Sequence, residues 1–541
     1  MLPGMFQAPA SRPGRVSCRA MSAGERVRAA ARTGRRPTLF AVTLPACLAV
    51  GVLGLFWPET IVQAGTLGTR FAFEALDWFF MATVTGFVVL AAWLAFGRDG
   101  NLRLGDDPPE FSTGSWLAML FAAGMGTGLV FWGAAEPLMH FAGAPGAEPR
   151  TAAAARHAFV WTSFHWGLHA WGVYCIGALT LAYFAFRHDA PYLPGAPIRI
   201  AFGGPWVRPV ASFGDTIAVL AIALGVAGSL AMGTQQIRTG LHVVAGADAQ
   251  SWVLSAGILV ALVTSYMLSA ATGLKRGIKW LSNGNIVLAI LLMTFLLAVG
   301  PTTFMLRSFF TSIGDYVSEI PRLSLDLHPH VAEKSWFEGW TLTYFIWWIA
   351  WAPFVGVFIA RISKGRTIRD FVLGVLAAPT GFTLLWFGIF GGTALHEEMY
   401  GAGGLADAAT IDVTRSLFAL FDTLPMSNVL SVLAIGLVFV FLVTSVDSAT
   451  FVLGMLTSEG SLEPPSSKKV AWGVTLGLLG GALTLAGDFE VVRACAVLGA
   501  IPFTFIMILQ AVALVRSILG ARRAAAAGDP EGPSAGPRPH G

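Results

Sequence analysis

About twelve predominantly apolar stretches recur along this chain, each long enough to cross a hydrocarbon core of ~30 Å. They fall at roughly residues 39–57, 76–96, 112–135, 158–186, 211–240, 251–272, 284–306, 339–360, 370–395, 426–457, 469–487 and 491–519. Backbone polar groups inside lipid must satisfy one another, so stretches of this length predict an all-α polytopic membrane protein. Charge agrees: only 12% of the 541 residues are charged, about half the share of a soluble domain. Loops carrying Arg98 and Arg103, Arg187 and Arg199, Lys275 to Lys279, Arg361 to Arg369, and Lys468 with Lys469 all fall on one side of the alternation. Both termini fall there too, and the excess of positive charge predicts that this side is cytoplasmic, in a bacterial inner membrane. The net charge of +4 is therefore topology rather than nucleic-acid binding. Cys18, Cys47, Cys175 and Cys495 lie far apart and form neither a zinc pattern nor a disulfide framework.

Three spans contain residues that apolar packing does not call for. The third reads Gly124-Met125-Gly126-Thr127-Gly128, then Ala135-Glu136-Pro137. Alternate glycines weaken a helix and expose backbone groups, which a membrane tolerates only where they line a cavity or are buried in protein. Close packing through small residues is the competing reading. The fourth span holds Trp166, Trp171 and Tyr174, and the eighth places Tyr344, Trp348 and Trp351 at helical spacing on one face, with Pro353 expected to loosen the helix just beyond. Aromatic rings away from the span ends suit a cation–π cage for a methylated ammonium, which donates no strong hydrogen bond; core packing is the alternative.

The tenth span carries Thr444-Ser445 followed by Asp447. Hydroxyls and freed carbonyls are ligands fit for Na⁺, although Thr and Ser in membrane helices more often bond their own backbone. An acid inside a span is a functional candidate, as well as a capping or pairing one. His165 and His169, one turn apart, read as interhelical hydrogen-bonding groups sooner than as a proton relay. The chain has no P-loop, HExxH or nucleophile elbow, so neither an ATP-driven pump nor an enzyme is expected.

From about residue 39 to 519 the chain resembles the betaine/choline/carnitine transporter family. WWIAWAPFVGVFIARISKGRTIR (Trp347–Arg369) carries most of the resemblance, supported by GMGTGLVFWGAAEP (Gly124–Pro137), FHWGLHAWGVY (Phe164–Tyr174), TGLKRGIKWLSN (Thr272–Asn283) and VTSVDSAT (Val443–Thr450). The resemblance implies a leucine-transporter-like five-plus-five inverted repeat preceded by two extra N-terminal helices. It divides the chain into a basic cytoplasmic tail (1–38), a transporter domain (39–519, repeats at about 112–306 and 339–519) and a short disordered cytoplasmic tail (520–541). It also implies homotrimers and alternating access.

Carried over by position, Trp166, Trp171, Tyr174, Trp348 and Trp351 match the family's aromatic box, and Trp347 flanks it on the substrate path. Ala122, Met125, Leu442, Thr444 and Ser445 match its sodium site. Phe354 would belong to a second one, which Val226, standing where a Thr is expected, puts in doubt. Thr127 stands where an apolar residue is common, and Gly128 where choline-type members carry an Asp. Together these imply uptake of a glycine betaine-like zwitterion coupled to Na⁺, the carboxylate held by amides of the 124–128 glycine stretch, with no organic cofactor. Sodium-independent exchange, proton-coupled choline or carnitine uptake, sulfonium solutes, and a betaine-binding osmotic sensor with little transport are the alternatives.

Overall fold

The computed structural model describes residues 38–124, 126–272, 275–328, 334–486 and 489–526. They are almost wholly helical; the only extended pairing among them is an isolated bridge between Arg103 and Thr367. The long helices are α1 (Leu39–Phe56), α2 (Pro58–Phe96), α3 (Thr113–Gly124), α4 (Thr127–Gly143), α5 (Ala152–Trp166), α6 (Leu168–His188), α7 (Val207–Ala245) and α8 (Trp252–Thr272). They continue as α9 (Lys275–Val299), α10 (Thr302–Leu323), α11 (Thr343–Arg361), α12 (Ile368–Tyr400), α13 (Ser427–Leu456), α14 (Ser466–Ala486) and α15 (Phe489–Ala526). By length and composition, nine described helical segments can cross a membrane, and the bent pair α9–α10 makes ten. The interrupted α3–α4 and α14 occupy the two remaining apolar stretches, so each expected span has a helical counterpart.

Local chemistry sets the boundaries. Thr151 caps α5 and Thr367 caps α12, each hydroxyl accepting from the amide three residues on, at 3.2 and 3.0 Å. At Gly300-Pro301 the chain turns through 112° and enters α10, which buries Met305, Ser312, Tyr316 and Leu323 along one face and exposes Leu306, Phe310 and Val317. The polar stretch at 312–338, read from the sequence as a loop, thus begins as the second half of an amphipathic helix; its interleaved charges dilute the hydropathy that marks a span. Likewise 396–425 is not plain loop, since α12 runs to Tyr400 and short helices follow at Leu405–Ile411 and Ser416–Asp422. The last helix continues to Ala526, beyond the boundary expected at 519.

Two five-span halves follow α1 and α2: α3–α4, α5–α6, α7, α8 and α9, then α11 to α15. Their contacts are reciprocal. The first span of each half packs on the second of the other (α4 on α12, α11 on α6), third meets third (α7, α13) and fourth meets fourth (α8, α14). Fifth spans pack on the opposite third spans, α9 on α13 and α15 on α7. This is the pattern of two repeats related by a two-fold axis, and an odd number of spans gives them opposite orientation.

On the face of the basic loops, the turn between α11 and α12 pairs with the segment after α2. Leu104 N–H donates to the Arg366 carbonyl (2.8 Å), Gly365 N–H to that of Leu104 (2.7 Å), and Ile368 N–H to that of Leu102 (2.9 Å). Arg366 is buried beneath this staple. It lies 4.7 Å from the Trp116 ring and donates to the Phe111 carbonyl and the Thr113 hydroxyl. The start of the first repeat is thereby tied to the first connection of the second.

Candidate functional site

Where α4, α5–α6, α7, α11 and α13 converge they enclose a cavity of about 490 Å³. The interruptions of the first two spans create two of its walls. Gly126 is extended (φ −142°, ψ 174°) and caps α4, so the first amides of that helix lie at the cavity, which Gly126, Thr127 and Gly128 line. Gly128 is closely packed, and a Cβ there would lie 3.0 Å from Trp166 Cη2. Gly124 ends α3. Of the other residues expected in this stretch, Met125 lies outside the described residues, and Ala122 is within α3.

The fourth span is interrupted as well, at Gly167, which the sequence reading did not anticipate. A Cβ at Gly167 would lie 2.6 Å from the Tyr316 hydroxyl, and that hydroxyl accepts from Leu168 N–H at 2.8 Å. Trp166 therefore ends α5 while Trp171 and Tyr174 sit on α6, all three lining the cavity. From the opposite wall come Trp347, Trp348, Trp351 and Phe354 of α11. Pro353 does not interrupt α11, which continues to Arg361; the irregularity of this span lies earlier, in a π-helical turn at Glu338–Leu342.

The rings pack as one cluster on the cavity wall. Trp166 and Trp348 meet edge to face with centroids 4.9 Å apart, Tyr344 stacks on Trp348 at 5.6 Å, and Tyr174 closes edge-on at 6.2 Å with Trp171 behind it at 5.4 Å. Trp351 stands apart from this cluster, in edge contact with Phe354 at 5.5 Å and packed against Gly225. Its buried indole N–H has no hydrogen-bond partner. The cavity also takes in Trp132 and Trp340, neither assigned to the site from the sequence, and Tyr344, which the helical spacing placed on one face with Trp348 and Trp351. Trp336, Trp340, Tyr344 and Trp348 rise along this span with successive centroids 6.4, 6.2 and 5.6 Å apart. The spacing of four is present in the sequence itself, starting upstream of residue 339.

Behind this ring cluster, Glu136 is fully buried. His165 hydrogen-bonds its Oε1 at 2.8 Å and, through Nε2, the Thr341 hydroxyl at 2.9 Å; His169 bonds the Ser324 hydroxyl at 2.9 Å. Both histidines thus tie helices together, as expected. The ligand-type atoms of Glu136, His140 and His165 lie within 4.8 Å of one another, and hydrogen bonds join them.

Leu442, Thr444 and Ser445 also line the cavity. Helix α13 runs unbroken through them, and the Thr444 hydroxyl bonds the carbonyls of Val440 and Phe441 at 3.0 and 3.1 Å, leaving its oxygen lone pairs for another partner. Val226 and Ser229 of α7 reach the same space, so Ser229 supplies a hydroxyl on the wall where Val226 does not.

An all-α bundle of paired repeats with an interior cavity beside interrupted helices is the architecture of multi-pass membrane transporters of small solutes. The model of the BCCT family, described as betaine/carnitine/choline family transporters, matches residues 38–522. The chain is 41% identical over 490 residues to the glycine betaine transporter OpuD of Bacillus subtilis, covering 90% of this chain and 95% of that protein. It is 40% identical to an ectoine/hydroxyectoine transporter of Virgibacillus pantothenticus (85% and 93% covered) and 39% identical to a glycine betaine transporter of Acinetobacter baylyi (82% and 67% covered). The chain belongs to the betaine/carnitine/choline transporter family.

Proposed function

We propose that this protein imports a zwitterionic quaternary-ammonium solute, glycine betaine or a close analogue, coupled to Na⁺ and by alternating access. The observation that carries the reading is the ring box of Trp166, Tyr344, Trp348 and Tyr174 on one cavity with the open start of α4. Indole and phenol faces attract a methylated ammonium at about 0.5–2 kcal/mol each. The first amides of α4 are donors for a carboxylate, and Gly128 leaves no acid to pair with a solute that lacks one. Thr444 and Ser445, with the Leu442 carbonyl and those of Ala122 and Met125, are the sodium ligands in this reading, and Phe354 with Ser229 borders a second candidate position. The cytoplasmic placement of both termini in a bacterial inner membrane, and a trimeric assembly, belong to the same proposal.

Ectoine is a second candidate solute: it too pairs a delocalised cation with a carboxylate, and a relative covering 85% of the chain is named for it. The test is uptake of radiolabelled glycine betaine and, in parallel, of radiolabelled ectoine into proteoliposomes under an inward Na⁺ gradient, with a K⁺ control. Accumulation that requires the Na⁺ gradient is the expected result. Uptake indifferent to Na⁺ overturns the coupling, and no uptake with full ectoine flux reassigns the solute.

A further inference from the structure

Glu136 has no place in the cavity lining, yet the hydrogen bonds of three box rings lead back to it. Its Oε2 accepts from Trp166 Nε1–H at 2.6 Å and from the Tyr344 hydroxyl at 2.5 Å. Its Oε1 bonds His165 Nδ1 at 2.8 Å and His140 Nε2 at 3.2 Å. The carbonyl of the same His165, freed where α5 stops, accepts from Trp348 Nε1–H at 2.8 Å. Three rings of the box are thus held from behind by one carboxylate and one histidine that the carboxylate positions. An acid buried inside a span is costly unless its oxygens are fully hydrogen-bonded, and four groups able to donate converge on these two acceptors. Apolar packing alone would not retain such a group.

We propose that Glu136 is the positioning residue of the cation box, and that its negative charge sets the site's preference for a cationic headgroup over a neutral one of the same shape. Two effects act together. The N–H of Trp166 and O–H of Tyr344 fix the angle at which each ring faces the cavity. A ring whose polar hydrogen is given to a carboxylate also gains electron density on its faces, which strengthens the quadrupole that attracts a cation, while the carboxylate's own field acts through a medium of low polarity. The inference rests on the reading of this cavity as a betaine site.

The experiment compares glycine betaine with tert-butylacetic acid, its isostere with carbon in place of the ammonium nitrogen. Binding of each to purified protein is read by tryptophan fluorescence for the wild type, Glu136→Gln and Tyr344→Phe, with folding checked by size exclusion. Wild type should favour betaine by at least about tenfold. Glu136→Gln should cut that ratio by about fivefold or more, with the isostere's affinity changed less than about twofold, and Tyr344→Phe should lower it by a smaller factor. A Glu136→Gln protein that loses both ligands equally, or keeps the wild-type ratio, overturns the proposal. Where Glu136→Gln does not fold, an unchanged ratio in Tyr344→Phe overturns it. A wild type with no preference between the two ligands instead refutes the betaine box itself, an outcome read before any variant is compared.

Discussion

Trp348 does two jobs with one side chain: its ring lines the cavity in contact with both Trp166 and Tyr344, and its indole N–H satisfies the His165 carbonyl. Trp348→Ala should therefore raise the KM for glycine betaine by at least about tenfold. Trp348→Phe, which restores the ring without the N–H, should recover part of that loss; uptake kinetics of both variants in proteoliposomes check this, and an unchanged KM in both removes the box from the mechanism. Gly128 is governed by space. An aspartate there places Cβ against Trp166, so Gly128→Asp should abolish betaine uptake by displacing the ring, and choline gained in exchange would show that the charge can be accommodated after all. For the ion, Thr444→Ala and Ser445→Ala should each shift half-maximal Na⁺ upward by about tenfold or more, since each removes a candidate oxygen ligand. Full Na⁺ dependence in both would place the ion elsewhere.

Elements show why some of the site was legible and some was not. The aromatic residues stood out because helical periodicity and mid-span position are properties of sequence alone, and Trp166, Trp171, Tyr174, Trp347, Trp348 and Trp351 all reach the cavity. The break in α3–α4 was legible because consecutive alternate glycines have a local cost. The break at Gly167 was not, because a Cβ there meets, besides the Ser163 carbonyl of its own helix, the hydroxyl of Tyr316 brought from α10 to within 2.6 Å. Pro353 misled in the other direction. A single missing donor does not break a helix as tightly packed as α11, which is buried on most of its length. The staple between Leu104 and Gly365 offers a further test. Gly365 has φ +78° and a Cβ there would come within 2.5 Å of the Pro108 carbonyl carbon. Gly365→Ala should cost about 1–3 kcal/mol of stability, read as a lowered unfolding temperature in detergent, while Lys364→Ala, which removes a 2.6 Å exposed ion pair to Asp107, should leave it almost unchanged.

For the whole molecule, solute and ion should bind only the folded bundle and stabilise it by mass action. Glycine betaine at a hundred times its Kd should add about 2.7 kcal/mol, visible as a raised Tm in Na⁺ and absent when K⁺ replaces it; an increment equal in both salts would separate solute binding from sodium. The sequence by itself determined the all-α membrane architecture, because a bilayer demands apolar helices of one length wherever the chain crosses it. It singled out aromatic and hydroxyl residues that line the cavity too, since those residue types are conspicuous against an apolar background. Only the tertiary structure decided that the two halves pack reciprocally, that α10 lies across the end of its span as an amphipathic helix, and that Trp166, Tyr344 and His165 share one buried carboxylate. Those facts depend on groups from α4, α5 and α11 that are far apart in the chain, and no local pattern records which of many polar side chains a buried Glu136 will find.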